Sequence, residues 1–295
     1  MIKNRAVALT VIILVYILAG FLGTFAYNYF SSSGGFGMSA GVGLNLSWQL
    51  SLFLADVVAT ILVFIFSLIF RNASVYDPYW SVQPPVILAV ALAKMEDGGN
   101  NLLAWLLFAA VLFWALRLTA NWAYNFKSFE YQDWRYVMLK EKSGILYPLV
   151  NFFGIHLFPT IVVYLCVLPA VTAIYNKADL NPLSIIFIGL SFCATVLQGL
   201  ADIQMHKFRN SAAGGFNRIG LWKHGRHPNY ACEILMWWGI GLASVCALGL
   251  KNYFLLAGAL INTLMFLFIS IPMADKRQSR KPGFDEYKKA TRIFF

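Results

Sequence analysis

Between Gly220 and Glu233 the chain reads GLWKHGRHPNYACE, which packs Lys223, His224, Arg226 and His227 into five positions just ahead of Pro228. Proline is favoured at the first position of a helix, because its missing N–H would be unpaired there anyway. The spacing therefore predicts a helix that begins at Pro228, with its free N–H groups and positive dipole end beside this basic cluster. Such a place binds anions, above all phosphate. Asn229 and Glu233 are four residues apart and so share one face of that helix. A carboxylate one turn inside an apolar helix is costly unless it has a partner or a task. The stretch reads as the polar end of a cofactor site at a membrane surface.

Two further patterns carry chemistry. Ser191, Thr195, Gln198, Asp202, His206 and Arg209 recur at spacings of 4, 3, 4, 4 and 3, which puts a polar stripe down one helix face. Stripes of this kind can simply glue helices together, but this one is long and ends in charge, as a ligand-lined face would. Asp202 and Arg209 are two turns apart: the carboxylate suits a hydroxyl or amide, the guanidinium a phosphate. A lipid headgroup or an acyl-coenzyme would fit that pattern as well as a nucleotide. Upstream, Arg117 sits in FWALRLTANWAYNF, one turn after Trp114 and one before Asn121. An arginine at membrane depth needs a partner, and Asp77 of YDPYW, Glu233 or a cofactor phosphate could supply it. Asp56 and His156 are less specific, since a lone histidine on an apolar helix is usually a hydrogen-bonded core residue.

The elements that must position these residues are membrane helices. Of 295 residues, 59% are hydrophobic and only 12% charged, whereas soluble domains run nearer a quarter charged. The net charge of +10 lies in short loops beside apolar segments, where it fixes orientation and attracts lipid headgroups. No nucleic-acid module accompanies it. The four cysteines, Cys166, Cys193, Cys232 and Cys246, form no CxxC pair, and no metal site is expected. A bilayer core takes about 20 helical residues. On that ruler eight segments emerge, near 6–27, 46–70, 79–95, 101–125, 146–175, 181–205, 229–249 and 252–273. The expected fold is an all-α polytopic bundle of about eight transmembrane helices. Pro84 and Pro85 weaken the third, and Pro159 and Pro169 should kink the over-long fifth. MIKNR and the run after it resemble a signal peptide superficially, but the run reaches spanning length and reads as a first transmembrane helix.

With both termini cytoplasmic, the inner loops collect nineteen Lys/Arg and the outer loops three, Lys94, Lys177 and Lys251. That asymmetry supports an even number of spans, and the lone cysteines suit a bacterial inner membrane. The uncharged loop SSSGGFGMSAGVG reads as a flexible connector. Residues 126–145 read as an interfacial helix, and the tail 274–295 as a segment that contacts headgroups or folds over a cofactor. Two parts follow: N-terminal helices with the outer loop (1–70), and a main membrane domain with cytoplasmic loops and tail (71–295).

GLWKHGRHPNYACEILMWWG, preceded by ADIQMHKFR and followed by SIPMADKRQSRKPGFDEY, resembles the steroid 5-alpha-reductase-like family. More narrowly it resembles a bacterial subfamily catalogued as a domain of unknown function, with which YDPYWSV, FFGIHLFP and EYQDWRY also agree. The resemblance covers most of residues 70–295. It implies a reductase that binds NADPH between its C-terminal helices and cytoplasmic loops, with a hydrophobic substrate in the membrane. Carried over motif by motif, it implies that Gln198, Asp202, Arg209 and Asn229 hold the cofactor, with Glu233 beside them and Lys276, Arg277 and Arg280 near its adenosine phosphate, while Lys223, Arg226 and His227 extend the same anion site by their own spacing. The family's substrate-polarising tyrosine, counted from Arg117, aligns with Trp114, whose indole donates a hydrogen bond but no proton. Tyr79 with Asp77, or Tyr124, are the alternative donors, and Arg117 and Glu233 would orient the substrate.

The expected activity is hydride transfer from NADPH to an activated C=C bond of a sterol, isoprenoid or fatty enone. RHPNY also occurs in related form in isoprenylcysteine and phospholipid methyltransferases, so transfer of a methyl group from S-adenosylmethionine to a lipid is the alternative. Those enzymes typically carry paired glutamates after the last helix, where this chain has Ala274, Asp275, Lys276 and Arg277. A non-catalytic lipid-binding membrane protein is the third reading.

Overall fold

The computed structural model describes residues 2–31, 44, 46–94, 101–211 and 214–294. The uncharged connector lies, apart from Ser31, outside these residues. Among them every regular element is helical: α1 (Arg5–Ser31), α2 (Trp48–Ile69), α3 (Tyr79–Ala93), α4 (Leu102–Asn125), α5 (Trp134–Ser143), α6 (Phe158–Tyr175), α7 (Pro182–Asn210), α8 (Pro228–Leu248), α9 (Ala257–Met265), α10 (Ile271–Gln278) and α11 (Phe284–Ala290). Seven helical runs are long and apolar enough to cross a membrane: α1, α2, α4, Trp134–Tyr175, α7, α8 and Leu250–Gln278. The protein is an integral membrane protein built as an all-α polytopic bundle.

Two runs are not uniform α-helix. Pro169 lies inside α6, and Val150–Leu157, immediately before it, is π-helical. That π segment ends where Pro159 removes a backbone donor. A second π segment, Phe266–Ser270, joins α9 to α10. The expected interfacial stretch at 126–145 contains α5, capped by the Asp133 side chain on the Arg135 N–H.

The helices fall into two compact units, Met1–Ile87 with Leu118–Tyr164 and Leu88–Arg117 with Leu165–Phe295. In the first unit α1 buries a narrow stripe of Ala8, Ile12, Val15, Ala19 and Ala26, while Ile13, Leu14, Ile17 and Phe21 stay exposed. Lipid is as apolar as leucine, so close backbone approach rather than hydrophobicity selects the buried face. At Gly23 an added Cβ would lie 3.6 Å from Ala59 Cβ on α2.

One end of this unit is sewn together by polar contacts. Arg5 donates to the Ala123 carbonyl at 2.8 Å. Asn72, just after α2, donates to the carbonyls of Phe129 and Tyr131 at 2.9 and 3.1 Å. The start of α1, the end of α2 and the end of α4 thus share one end. With 15 residues, α3 rises about 22 Å, short of the roughly 30 Å bilayer core, so among the described residues seven runs rather than the expected eight are long and apolar enough to span it.

In the second unit α7 and α8 pack antiparallel at close range. Ser184 Oγ–H donates to the Ala243 carbonyl at 2.8 Å, Ser191 Oγ–H to the Met236 carbonyl at 3.0 Å, and Asn181 Nδ2–H to the Cys246 carbonyl at 2.9 Å. Gly239 permits this approach, since a Cβ there would collide with Ser191 Oγ and the Phe187 carbonyl. Pro228 opens α8 as its spacing predicts.

Candidate functional site

The polar stripe of α7 has two halves with different work. Ser191 and Thr195 are buried and bonded to helix carbonyls, Ser191 to Met236 on α8 and Thr195 to Ser191 at 2.9 Å. This half is the glue that such stripes can be. The next two members, Gln198 and Asp202, face charge.

Glu233, 2% exposed on α8, is the centre of that charge. Its Oε2 accepts from Gln198 Nε2–H at 2.6 Å and from Trp114 Nε1–H at 2.9 Å. Its Oε1 accepts from Trp237 Nε1–H at 3.2 Å. Arg117 completes the cluster: Nη1 donates to Asp202 Oδ2 at 2.7 Å, and Nη2 lies 3.6 Å from Glu233 Oε2. Gly199 gives the arginine stem room on α7, where an added Cβ would sit 3.7 Å from Arg117 Cγ. Of the partners expected for Arg117, Glu233 is present, while Asp202, expected to act with Arg209, supplies the shorter contact.

One guanidinium thus faces two carboxylates. Arg117 Nε and Nη2 and Gln198 Oε1 are buried without a hydrogen-bond partner in the protein. Buried polar atoms are normally paired, so these three define what a ligand would meet: N–H donors and an amide oxygen. Trp237 escaped the sequence reading, although its position four residues after Glu233 on one helix face was the available signal.

The basic cluster before Pro228 splits in two. Lys223 and His224 are exposed, whereas Arg226 and His227 are each 7% exposed and turn inward. Arg226 donates to the Thr291 carbonyl at 2.7 Å and to the Lys288 carbonyl at 3.3 Å, and its Nη2 lies 3.4 Å from Asp275 Oδ2. His227 Nε2 lies 2.9 Å from Asp275 Oδ1. Backbone bonds continue the seam: the N–H groups of Arg226 and His227 donate to the carbonyls of Arg292 and Ile293, and Arg292 N–H to that of His224. Phe216 stacks on Tyr287 with centroids 4.6 Å apart, and burial raises the Tyr287 hydroxyl above its ordinary range. The tail therefore folds back over the basic loop. Arg209, Arg277 and Arg280 are exposed near this end of their helices, and Asn229 is half-buried in the first turn of α8.

The remaining candidates belong to the first unit. Tyr79 O–H donates to Asp56 Oδ1 at 2.9 Å, and Gln83 Nε2–H donates to Asp56 Oδ2. Asp77, the neighbour expected to pair with Tyr79, instead accepts from Tyr136 O–H and lies 3.9 Å from Arg135. Burial pushes its carboxyl up to about 6, against the opposing pull of Arg135. Tyr124 is 62% exposed.

Fold and site together define a polytopic membrane protein that carries an arginine–dicarboxylate cluster in one helical unit, with a basic loop and tail folded over each other in that same unit. The chain belongs to the family described as protein of unknown function (DUF1295), whose model matches residues 63–291. An uncharacterized protein of Schizosaccharomyces pombe is 29% identical over 198 residues, covering 57% of this chain and 56% of its own length. The chain spans about half the length of this curated relative. No solved structure matches.

Proposed function

We propose that this protein is a membrane-embedded reductase that transfers a hydride from NADPH to an activated C=C bond of a hydrophobic sterol-, isoprenoid- or enone-like substrate. The carrying observation is the Arg117–Asp202–Glu233 cluster, in which Arg117 Nε and Gln198 Oε1 are buried without a hydrogen-bond partner in the protein. That donor set fits the amide and ribose end of a dinucleotide. NADPH, when bound, supplies the hydride. Gln198 Oε1 would accept an amide N–H of the bound cofactor, and Asp202 a ribose hydroxyl, while Arg117 pairs with Asp202. Arg209 lies two turns along α7 from Asp202, about 10 Å, and with Lys223, Arg277, Arg280 and the Asn229 side chain receives the phosphate end. Glu233, held by two indoles and Gln198, fixes Trp114 and Arg117 rather than moving a proton itself.

The resemblance to steroid 5-alpha-reductase-like proteins supports the same assignment, since it points to Gln198, Asp202, Arg209, Asn229 and Glu233. Tyr79, a donor expected from the sequence, lies in the first unit, where Asp56, rather than Asp77, holds its O–H. Positive charge at the sewn end of the first unit and in the loop and tail of the second supports cytoplasmic termini in a bacterial inner membrane. Asp275, the single acid in the run where lipid methyltransferases carry two, is engaged by His227 and Arg226.

Thermal stability of the detergent-purified protein with NADPH, NADH and S-adenosylmethionine tests the proposal. A ligand at a hundredfold excess over its Kd stabilises by about 2.7 kcal/mol. Stabilisation by NADPH that disappears in Arg209→Ala and Asn229→Ala is the expected result. Stabilisation by S-adenosylmethionine alone would replace the reductase with a methyltransferase, and no response to any of the three would favour lipid binding without catalysis.

A further inference from the structure

The first unit contains a buried polar line of its own. It runs from Gln83 through Asp56 and Tyr79 to Tyr76, His156 and Asn151. The Tyr76 and Tyr79 rings are 5.5 Å apart, and the Tyr76 and His156 rings 4.8 Å. Tyr76 O–H meets Thr160 Oγ1 at 2.8 Å, and Thr160 meets Thr60 at 3.1 Å. All these side chains but the tyrosines are polar groups among apolar helices, where each costs free energy unless paired.

The way the line is paired is one-sided. Asn151 Nδ2–H donates to Ser67 Oγ, and Gln83 Nε2–H to Asp56. His156 Nδ1 lies 2.9 Å from the Asn151 carbonyl. A carbonyl oxygen only accepts, so Nδ1 carries the proton, and the neutral ring leaves Nε2 as a bare acceptor. Among the described residues of the first unit the buried side-chain atoms without a hydrogen-bond partner are Gln83 Oε1, Asn151 Oδ1 and His156 Nε2. Every one is an acceptor. Their residues are 5%, 2% and 0% exposed, so bulk water does not reach them.

Two features say where a partner would come from. Asn151 and His156 lie within the π-helical segment Val150–Leu157, and π turns inside helices are frequent at functional sites. On the outer side of that segment Leu149 and Phe153 are each 57% exposed, in a run apolar enough to sit in the bilayer. A ligand arriving there arrives from lipid.

We propose that this line is a binding site for an apolar alcohol, a lipid or isoprenoid-type molecule whose hydroxyl donates to His156 Nε2 while its hydrocarbon body stays among the helices. A ketone, ester or ether has no proton to donate to His156 Nε2 and gains nothing there. The proposal does not depend on NADPH or on any residue of the second unit.

The test uses the intact protein in detergent, labelled with 15N-histidine, and two matched probes, geranylgeraniol and its methyl ether. The chain has four histidines, and His156→Gln assigns the signal. The expected result is that geranylgeraniol moves the His156 Nε2 resonance from the bare to the hydrogen-bonded range and the ether does not. His156→Phe should bind the alcohol about tenfold more weakly, the equivalent of one buried hydrogen bond. If that variant fails to fold, the resonance of the unaltered protein still decides. An Nε2 already hydrogen-bonded without added lipid and unmoved by the alcohol would mean a fixed internal water, and would overturn the proposal. Equal effects of alcohol and ether would overturn it too.

Discussion

Arg117 Nη1 lies 2.7 Å from Asp202 Oδ2, and both side chains are only 13% exposed. The pair joins α4 to α7, and through the same guanidinium it reaches Glu233 on α8. Three helices of the second unit are therefore tied at one point by charge. Breaking a buried pair from one side leaves an uncompensated charge and costs about 3–5 kcal/mol. Arg117→Met should lower the unfolding free energy in detergent by that amount, with a lower Tm, and Asp202→Asn by clearly less, because Arg117 keeps Glu233. The double variant should be less destabilised than the sum of the two singles; strict additivity would mean that the pair is uncoupled.

Gly239 should tolerate no side chain. In Gly239→Ala the new Cβ would meet Ser191 Oγ and the Phe187 backbone carbonyl, and the backbone cannot give way as a flexible side chain could. A loss of about 1–3 kcal/mol is expected, the usual cost of overpacking. Gly189→Ala on α7, where nothing lies within 4 Å, is the matched control and should be neutral or slightly stabilising.

Stability should fall with pH near Asp77. Its carboxyl rises from the ordinary 3.8 to about 6, chiefly through burial, with Asp133 adding to the rise and Arg135 and Tyr136 opposing it. The folded state then holds a proton that the unfolded chain has released. This contribution is fully present below pH 4 and is lost as pH rises from about 4 to about 6. Over that window it amounts to up to about 3 kcal/mol. Melting curves between pH 4 and 7 should show the decline, and Asp77→Asn should flatten it.

The tail should be released by one substitution. Arg226 binds two tail carbonyls and Asp275 at once, so Arg226→Met should free the segment carrying Lys288 and Lys289. Trypsin should cut there at least several-fold faster, with a much smaller change in global Tm. Unchanged cleavage would mean that the Phe216–Tyr287 stack and the backbone bonds at 224–227 suffice to hold it.

Much of the second unit's site was legible in the sequence. The stripe from Ser191 to Arg209 and the Asn229–Glu233 face follow from helical spacing, which each helix carries within itself. The division of that stripe into glue and charge did not follow, because it depends on what α8 and α4 place opposite each turn. Similarly, Tyr79 stands two residues from Asp77 in sequence, yet Asp56 on α2 holds its hydroxyl. Sequence neighbours in the turn before α3 point different ways, and an aspartate more than twenty residues away faces the ring.

The sequence by itself determined the membrane-spanning helices, the start of α8 at Pro228 and the faces on which polar residues align. Apolar length, proline's missing donor and the 3.6-residue period act locally, whatever surrounds them. Only the tertiary structure decided that Arg117 belongs to Asp202 and Glu233, that Arg226 and His227 turn inward to Asp275 and the tail, and that His156 lies in a π-helical turn. Those choices depend on the register between helices. That register is set where glycine and serine let backbones approach, and in a bilayer the apolar pattern carries no record of it.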